Sequence, residues 1–442
     1  MPVAPYPVEV ASDLLQRLAD ARTRTDQLFA IVKPEFLYER PIPERHRIIF
    51  YIGHLEAFDW NLLHERLLYV PSSHPEFDHL FAFGIDPVGG GLPTDQPSDW
   101  PVLSKVHNYV ARVREVLDEG LRSLPSADEA AKSLEFPPAQ LLNVAIEHRL
   151  MHAETLAYML HQLPLNQKVS QLRTPEPSAE RGEAQVIRIP GGTVTLGLDR
   201  SEFGWDNEFE LHTEVVPSFA IDKYKVSNGQ WLEFMNAGGY ENEALWSEDG
   251  WNWKTARGIS HPSFWRRDGE RWYYRTMFED VRLPMDWPVY VSHAEATAYA
   301  KWVGRTLPSE AQWQRAAFGT DQGAERLYPW GNGAPGPEMG NFDFRRWDPT
   351  SVAAYPAGQS SFGVAGMLGN GWEWTSSLFQ PFAGFQKFPF YPGYSADFFD
   401  GKHFVMKGGS ARTAARMLRR SFRNWFQPHY QYVYAGFRCV SE

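Results

Sequence analysis

Near residue 165 the 442-residue chain changes texture, and that change limits the folds open to it. Before it, the ranges 10–29, 48–69, 100–124 and 138–163 have helix-forming composition with apolar residues at three- and four-residue spacing. Four such stretches predict a four-helix bundle. Ser98, with Asp99 beside it and Pro101 next, is the expected start signal of the third helix. The second and third are joined by a long connection holding Pro87, Gly89, Gly90, Gly91 and Pro93, the kind of loop that is usually functional or mobile. After residue 185, short β segments predominate, beginning with a strand, a turn and a strand over 186–197. Helices are expected over 227–236, 292–303 and 309–318, among loops rich in Gly and Trp. Between the halves, 166–185 is polar and carries Pro175, Pro177, Ser178 and Glu180, as a linker does. No 20–50-residue period marks a solenoid. The expected architecture is α+β, with a helical bundle over 1–165, a linker over 166–185 and a second domain over 186–442.

His148 and His152 stand four apart in Glu147-His148-Arg149-Leu150-Met151-His152-Ala153-Glu154. On a helix those positions share a face, so two imidazoles can grip one ion from a single element. His54, in the second helical stretch, can complete a three-nitrogen site if the bundle brings the helices together. Imidazole suits iron, zinc, copper and nickel alike, so spacing alone leaves open the metal, and also a plain packed histidine pair. Glu154 lies roughly 200° around the helix from His152, which argues against a fourth ligand.

The net charge of −11 and the lack of a basic, aromatic-laced patch argue against nucleic-acid binding. One cysteine, Cys439, excludes a disulfide framework within the chain and suits a reducing compartment. The first residues carry no basic region leading into an apolar core. No apolar run approaches the roughly 18 residues of a membrane span. The expectation is a soluble cytoplasmic protein, with no nucleic-acid or membrane partner.

The second half carries a series of short segments: Pro190-Gly191-Gly192, Lys225-Val226-Ser227-Asn228, Arg305 through Trp313, Tyr328-Pro329-Trp330-Gly331, Gly369-Asn370-Gly371-Trp372-Glu373-Trp374, Lys407-Gly408-Gly409-Ser410 and Gly436-Phe437-Arg438-Cys439. In this order they resemble the formylglycine-generating-enzyme, or sulfatase-modifying-factor, superfamily, which implies a C-type-lectin-like fold. Formylglycine-generating enzymes place two copper-binding cysteines after the Gly-Gly-Ser segment. Here Ala411, Arg412 and Thr413 follow, and a lone cysteine cannot supply a bis-thiolate site. The first half resembles the DinB-like four-helix bundles.

A DinB-like bundle followed by a sulfatase-modifying-factor domain is the arrangement of the ergothioneine-type sulfoxide synthases. The resemblance to that family implies an iron(II) centre held by His54, His148 and His152, with Glu154 completing its His-x-x-x-His-x-Glu motif. It implies dioxygen as co-substrate and hercynine, the Nα-trimethylated histidine, as substrate, joined at imidazole C2 to sulfur or, in the selenoneine branch, selenium. It also implies an active site between the two domains. There Tyr391 is the proton donor, Tyr394 a residue that binds the trimethylammonium group, and Asn424 and Trp425 further substrate-binding residues.

Three departures bear on the donor. The family members that take γ-glutamylcysteine use paired arginines before the third helix and an aspartate after the Asn-Trp pair. This chain has no arginine between Phe77 and Lys105, and Phe426 follows Trp425. Met151 replaces the family's glutamine before the second motif histidine, so a hydrogen bond to the substrate imidazole is lost. A donor with two carboxylates loses its expected ion pairs, although Arg112 and Arg114 on the third helix remain to reach one. A selenosugar is modestly favoured over cysteine or γ-glutamylcysteine. The competing expectations are a DinB-type metal-dependent thiol transferase, with zinc, and a non-catalytic lectin-like binding module.

Overall fold

A computed structural model of the chain describes residues 8–82, 92–123, 135–171 and 184–442. Gly89, Gly90 and Gly91 of the long connection and most of the 166–185 linker lie outside the described residues. The chain divides into two compact units, Met1–Gln171 and Leu172–Glu442.

The first unit contains α1 (Val8–Phe29), α2 (Ile48–Leu63), α3 (Pro75–Leu80), α4 (Leu103–Arg122) and α5 (Pro138–His161). α2 and α5 are buried on nearly every side, as helices without a polar face must be. α4 is amphipathic and buries Val106, Tyr109, Val113, Leu117 and Leu121 at three- and four-residue steps. α1 packs along α5, while α2 is the hub touching α3, α4 and α5.

Two boundaries differ from expectation. α2 stops at Leu63 and runs on as a π-helical turn, His64–Leu68, closed by Tyr69 in the left-handed region. The third long helix starts at Leu103 and Ser98 does not cap it; Pro97–Asp99 forms a separate 3-10 turn in which the Asp99 carboxylate accepts from the Gln96 amide at 2.7 Å. Pro101 is the cause. It holds Trp100 extended (φ −98, ψ 146), so no helix can pass through. The short α3, unexpected from sequence, delivers Phe81 to the face of α2.

Among the described residues of the second unit the strands are short and form four small sheets. β1 (Val186–Ile189), β2 (Gly192–Leu196), β3 (His212–Val216) and β4 (Phe219–Asp222) come first. The expected strands on either side of Pro190-Gly191 both form, but β1 pairs with β4 and β2 with β3, each antiparallel. Next come α6 (Asn228–Asn236), α7 (Glu248–Arg257), β5 (Trp265–Asp268), β6 (Arg271–Arg275), β7 (Asp280–Arg282), α8 (His293–Trp302) and α9 (Glu310–Phe318). The helices α6, α8 and α9 each start at a serine in a capping box, Ser227 with Gln230, Ser292 with Glu295 and Ser309 with Gln312. The helix α7 was not foreseen; Ser247 caps its start and Gly258 ends it in the left-handed conformation. The largest sheet has the order β10 (Asn424–Phe426), β9 (Phe404–Lys407), β8 (Trp372–Leu378), β11 (Ala435–Gly436), and β12 (Val440–Ser441) closes the sheet of β1 and β4.

Three of the short segments that stood out in the sequence, those of Lys225, Glu373 and Arg438, meet here. Arg438 donates to Glu373 at 2.6 and 2.8 Å, Lys225 lies 3.1 Å from the same carboxylate, and all three are buried. Arg438 also donates to the carbonyls of Asp222, Lys223 and Ala365, so its fork is satisfied in a dry interior. Cys439, buried beside it, gives its amide to Asp222 at 3.0 Å.

Candidate metal centre

His54 projects from α2, and His148 and His152 from α5. One nitrogen from each ring lies within 4.8 Å of the other two, the one such cluster of metal-ligating side chains among the described residues. All three are at most 3 % exposed. Glu154 is not in the group. Met151, one step before His152, is half-buried on α5.

The rings are held in place from outside. Nδ1 of His54 lies 2.7 Å from the Phe81 carbonyl, which assigns the proton to that nitrogen and leaves the Nε2 lone pair for the cluster. That Nε2 has no hydrogen-bond partner, and neither ring nitrogen of His152 has one. Phe50 stacks on His54 at 4.9 Å and Phe58 on His148 at 3.4 Å. Burial lowers the His54 pKa to about 4 against the opposing Phe81 bond, and burial with mutual repulsion holds His148 and His152 well below the ordinary value. Buried lone pairs facing one another are costly unless a cation fills them. The residues therefore fit a three-imidazole metal site that needs no proton release to load.

Gly53 makes this arrangement possible. A Cβ there would meet the Phe81 ring at 2.5 Å. Gly53→Ala is expected to push Phe81 away from His54, destabilising the protein by about 1–3 kcal/mol and weakening metal affinity by roughly 10–100-fold. Urea unfolding and iron titration check this; unchanged iron affinity would refute the link between Phe81 and His54.

Beside the histidines runs a buried ion network that sequence reading missed. Arg149 donates to Glu56 at 3.0 Å, to Asp59 at 2.6 Å and to the Leu55 carbonyl at 3.0 Å. Arg114 joins Glu56 to Asp26 with bonds of 2.7 Å. The available signal was Glu56 and Asp59, the acidic residues of the mostly apolar α2, with Arg149 beside the histidines of α5. Arg114, which the sequence left able to reach a donor carboxylate, is engaged by carboxylates of its own unit. Arg112, exposed, pairs with Glu115 at 2.7 Å.

In the second unit, three of the expected residues gather. Tyr394 is buried and Tyr391 half-buried, with rings 5.7 Å apart, and Trp425 meets Tyr394 edge-on at 5.4 Å. Phe379 stacks on Trp425 at 4.1 Å and Trp205 on Tyr394 at 4.0 Å, two supports not foreseen from sequence. Asn424 accepts from the Trp425 amide at 2.9 Å, and Phe426 turns away to stack on Tyr430 at 4.9 Å.

Comparison with known proteins follows this division. Residues 17–156 match the DinB superfamily and residues 171–442 the sulfatase-modifying factor enzyme 1-like domain. The chain is similar to a hercynine oxygenase of Mycolicibacterium thermoresistibile, 33% identical across 97% of this chain and 94% of that one. A hercynine oxygenase of Mycolicibacterium smegmatis is 35% identical across 86% and 90%. Ergothioneine biosynthesis protein 1 of Neurospora crassa is 27% identical across 92% of this chain and 55% of its own length. A helical three-histidine unit followed by a small-sheet unit with these matches places the chain in the hercynine oxygenase family, built from a DinB domain and a sulfatase-modifying-factor domain.

Proposed function

We propose that the protein is an iron(II)- and dioxygen-dependent enzyme that joins a chalcogen donor to C2 of the hercynine imidazole and oxidises the new selenide or sulfide to its oxide. The observation that carries this reading is the buried cluster of His54, His148 and His152, in which one nitrogen of each ring lies within 4.8 Å of the other two and Nε2 of His54 and both nitrogens of His152 make no hydrogen bond. Held by these three histidines, iron(II) would offer open positions for the substrates and dioxygen and would relay electrons between them. Electrons balance as follows: bond formation releases two and chalcogen oxidation two. Dioxygen takes all four and ends as one chalcogen-bound oxygen and one water. The chain's own residues do the rest. Tyr394 and Trp425 present aromatic surface to the trimethylammonium group, Asn424 adds a polar contact, and Tyr391 gives up a phenolic proton.

For the donor, a neutral selenosugar is favoured over cysteine or γ-glutamylcysteine. Arg114 is committed to Glu56 and Asp26, and Phe426 offers a donor no charge. The second reading, a sulfur-using ergothioneine-type synthase, draws on the names of the relatives. A cytoplasmic location is part of the proposal; no helix among the described residues is long and apolar enough to cross a membrane.

Anaerobic loading with iron(II) and hercynine, followed by oxygen and each donor in turn, tests the reading by mass spectrometry. The expected product is a hercynine–selenium adduct from the selenosugar. A sulfur adduct alone would transfer the protein to the second reading. Turnover without oxygen would point to a thiol transferase, and no adduct from any donor would overturn the proposal.

A further inference from the structure

Four consecutive buried residues, Trp205-Asp206-Asn207-Glu208, contact both chain segments that carry the proposed substrate residues of the second unit. The indole of Trp205 stacks on Tyr394 at 4.0 Å and lies edge-on to Tyr391 at 6.4 Å. The Asp206 carboxylate accepts from the Ser395 hydroxyl at 2.6 Å, directly after Tyr394. The Asn207 carbonyl accepts from Arg423 at 3.3 Å, directly before Asn424. The Glu208 carboxylate accepts from Ser421 and Arg419, each at 2.7 Å, and holds its own turn closed by accepting from the Trp205 amide at 2.9 Å. One rigid turn thus grips 391–395 with its first half and 419–425 with its second.

We infer that this turn sets the register between the tyrosine segment and the Asn424-Trp425 strand, with Asp206 as a positioning residue acting through Ser395. Tyr391 and Tyr394 sit in a stretch with little regular structure, separated by exposed Pro392 and Gly393. Such a stretch has no sheet or helix ladder to fix its rings, so side-chain contacts must do it. A cation cage works only when its rings hold their spacing, and proton delivery only when the phenol is correctly placed. Burial raises the Asp206 pKa to about 6, even with hydrogen bonds from Ser395 and the backbone of Asn207 and Phe388 opposing the rise.

The inference rests on the reading of Tyr394 and Trp425 as substrate residues, and the test separates the two. Asp206→Ala, Asp206→Asn, Ser395→Ala and Tyr394→Ala are made in the full chain and loaded with iron. Hercynine KM, donor KM and kcat are measured, with iron content and unfolding midpoint alongside. Ser395→Ala removes one hydroxyl and keeps the test valid if Asp206→Ala does not fold. We expect Ser395→Ala and Asp206→Ala each to raise hercynine KM about tenfold, with donor KM unchanged. Asp206→Asn, which keeps an oxygen acceptor for Ser395, should recover most of the loss. The Ser395→Ala/Asp206→Ala pair should be no worse than either single change. If Tyr394→Ala raises hercynine KM while folded Ser395→Ala and Asp206→Ala variants leave it unchanged, the inference fails and the substrate reading stands. If Tyr394→Ala also changes nothing, the substrate reading itself fails.

Discussion

His152→Ala will lose bound iron on dialysis and lower oxygen-dependent turnover by roughly a thousandfold, about 4 kcal/mol of barrier. The size follows from the geometry. The cluster has one nitrogen from each of three rings, and nothing else among the described metal-ligating side chains stands close enough to replace a lost one. Two imidazoles on separate helices hold a divalent ion far more weakly than three. Because neither nitrogen of His152 makes a hydrogen bond, its removal breaks no polar contact, and the variant should remain folded. His152→Gln, closer in volume, gives a second form of the test. Metal analysis after dialysis and single-turnover rates are the measurements. A folded variant that keeps full iron content and rate would rule His152 out as a ligand.

Arg149→Met will destabilise the protein by about 3–5 kcal/mol, the cost of leaving buried carboxylates uncompensated. Arg149 is fully buried and bonds Glu56 and Asp59 together, and α2 meets α5 through those bonds. Burial alone would push the Glu56 pKa up, but Arg149 and Arg114 outweigh it and hold it at about 2. The sign follows from that depression. Glu56 contributes stability above its unfolded value of 4.5, and the contribution is lost as pH falls towards about 2. Urea midpoints for wild type, Arg149→Met and the double variant Arg149→Met/Glu56→Gln check the argument. The double variant should recover part of the loss, since one uncompensated charge is gone. A single variant within about 1 kcal/mol of wild type would show that the network is not what clamps the helices.

The two predictions probe features of unequal legibility. His148 and His152 could be paired on one face from the sequence because helix periodicity is local and regular. The three helices of the second unit that start at a capping box, α6, α8 and α9, were legible for the same reason: the start signal lies within four residues. Boundaries were less so. Pro101 stopped the third long helix at Leu103 where Ser98 had looked like its cap. Likewise β1 and β2, adjacent in sequence, found other partners, because strand pairing depends on what the rest of the chain brings alongside.

The sequence by itself determined the division into a helical and a small-sheet unit, the candidate histidines and the short segments that mark the second unit. Each rests on periodicity, capping chemistry or motif order, which act over a few residues. Only the tertiary structure decided that Phe81 orients His54 across the gap left by Gly53, that Arg114 is held by its own carboxylates, and that Trp205 through Glu208 grip two distant segments. Those contacts join residues 27, 58, 189 and 216 positions apart. No local pattern encodes such partners, because burial and hydrogen-bond satisfaction are settled only when the whole chain has packed.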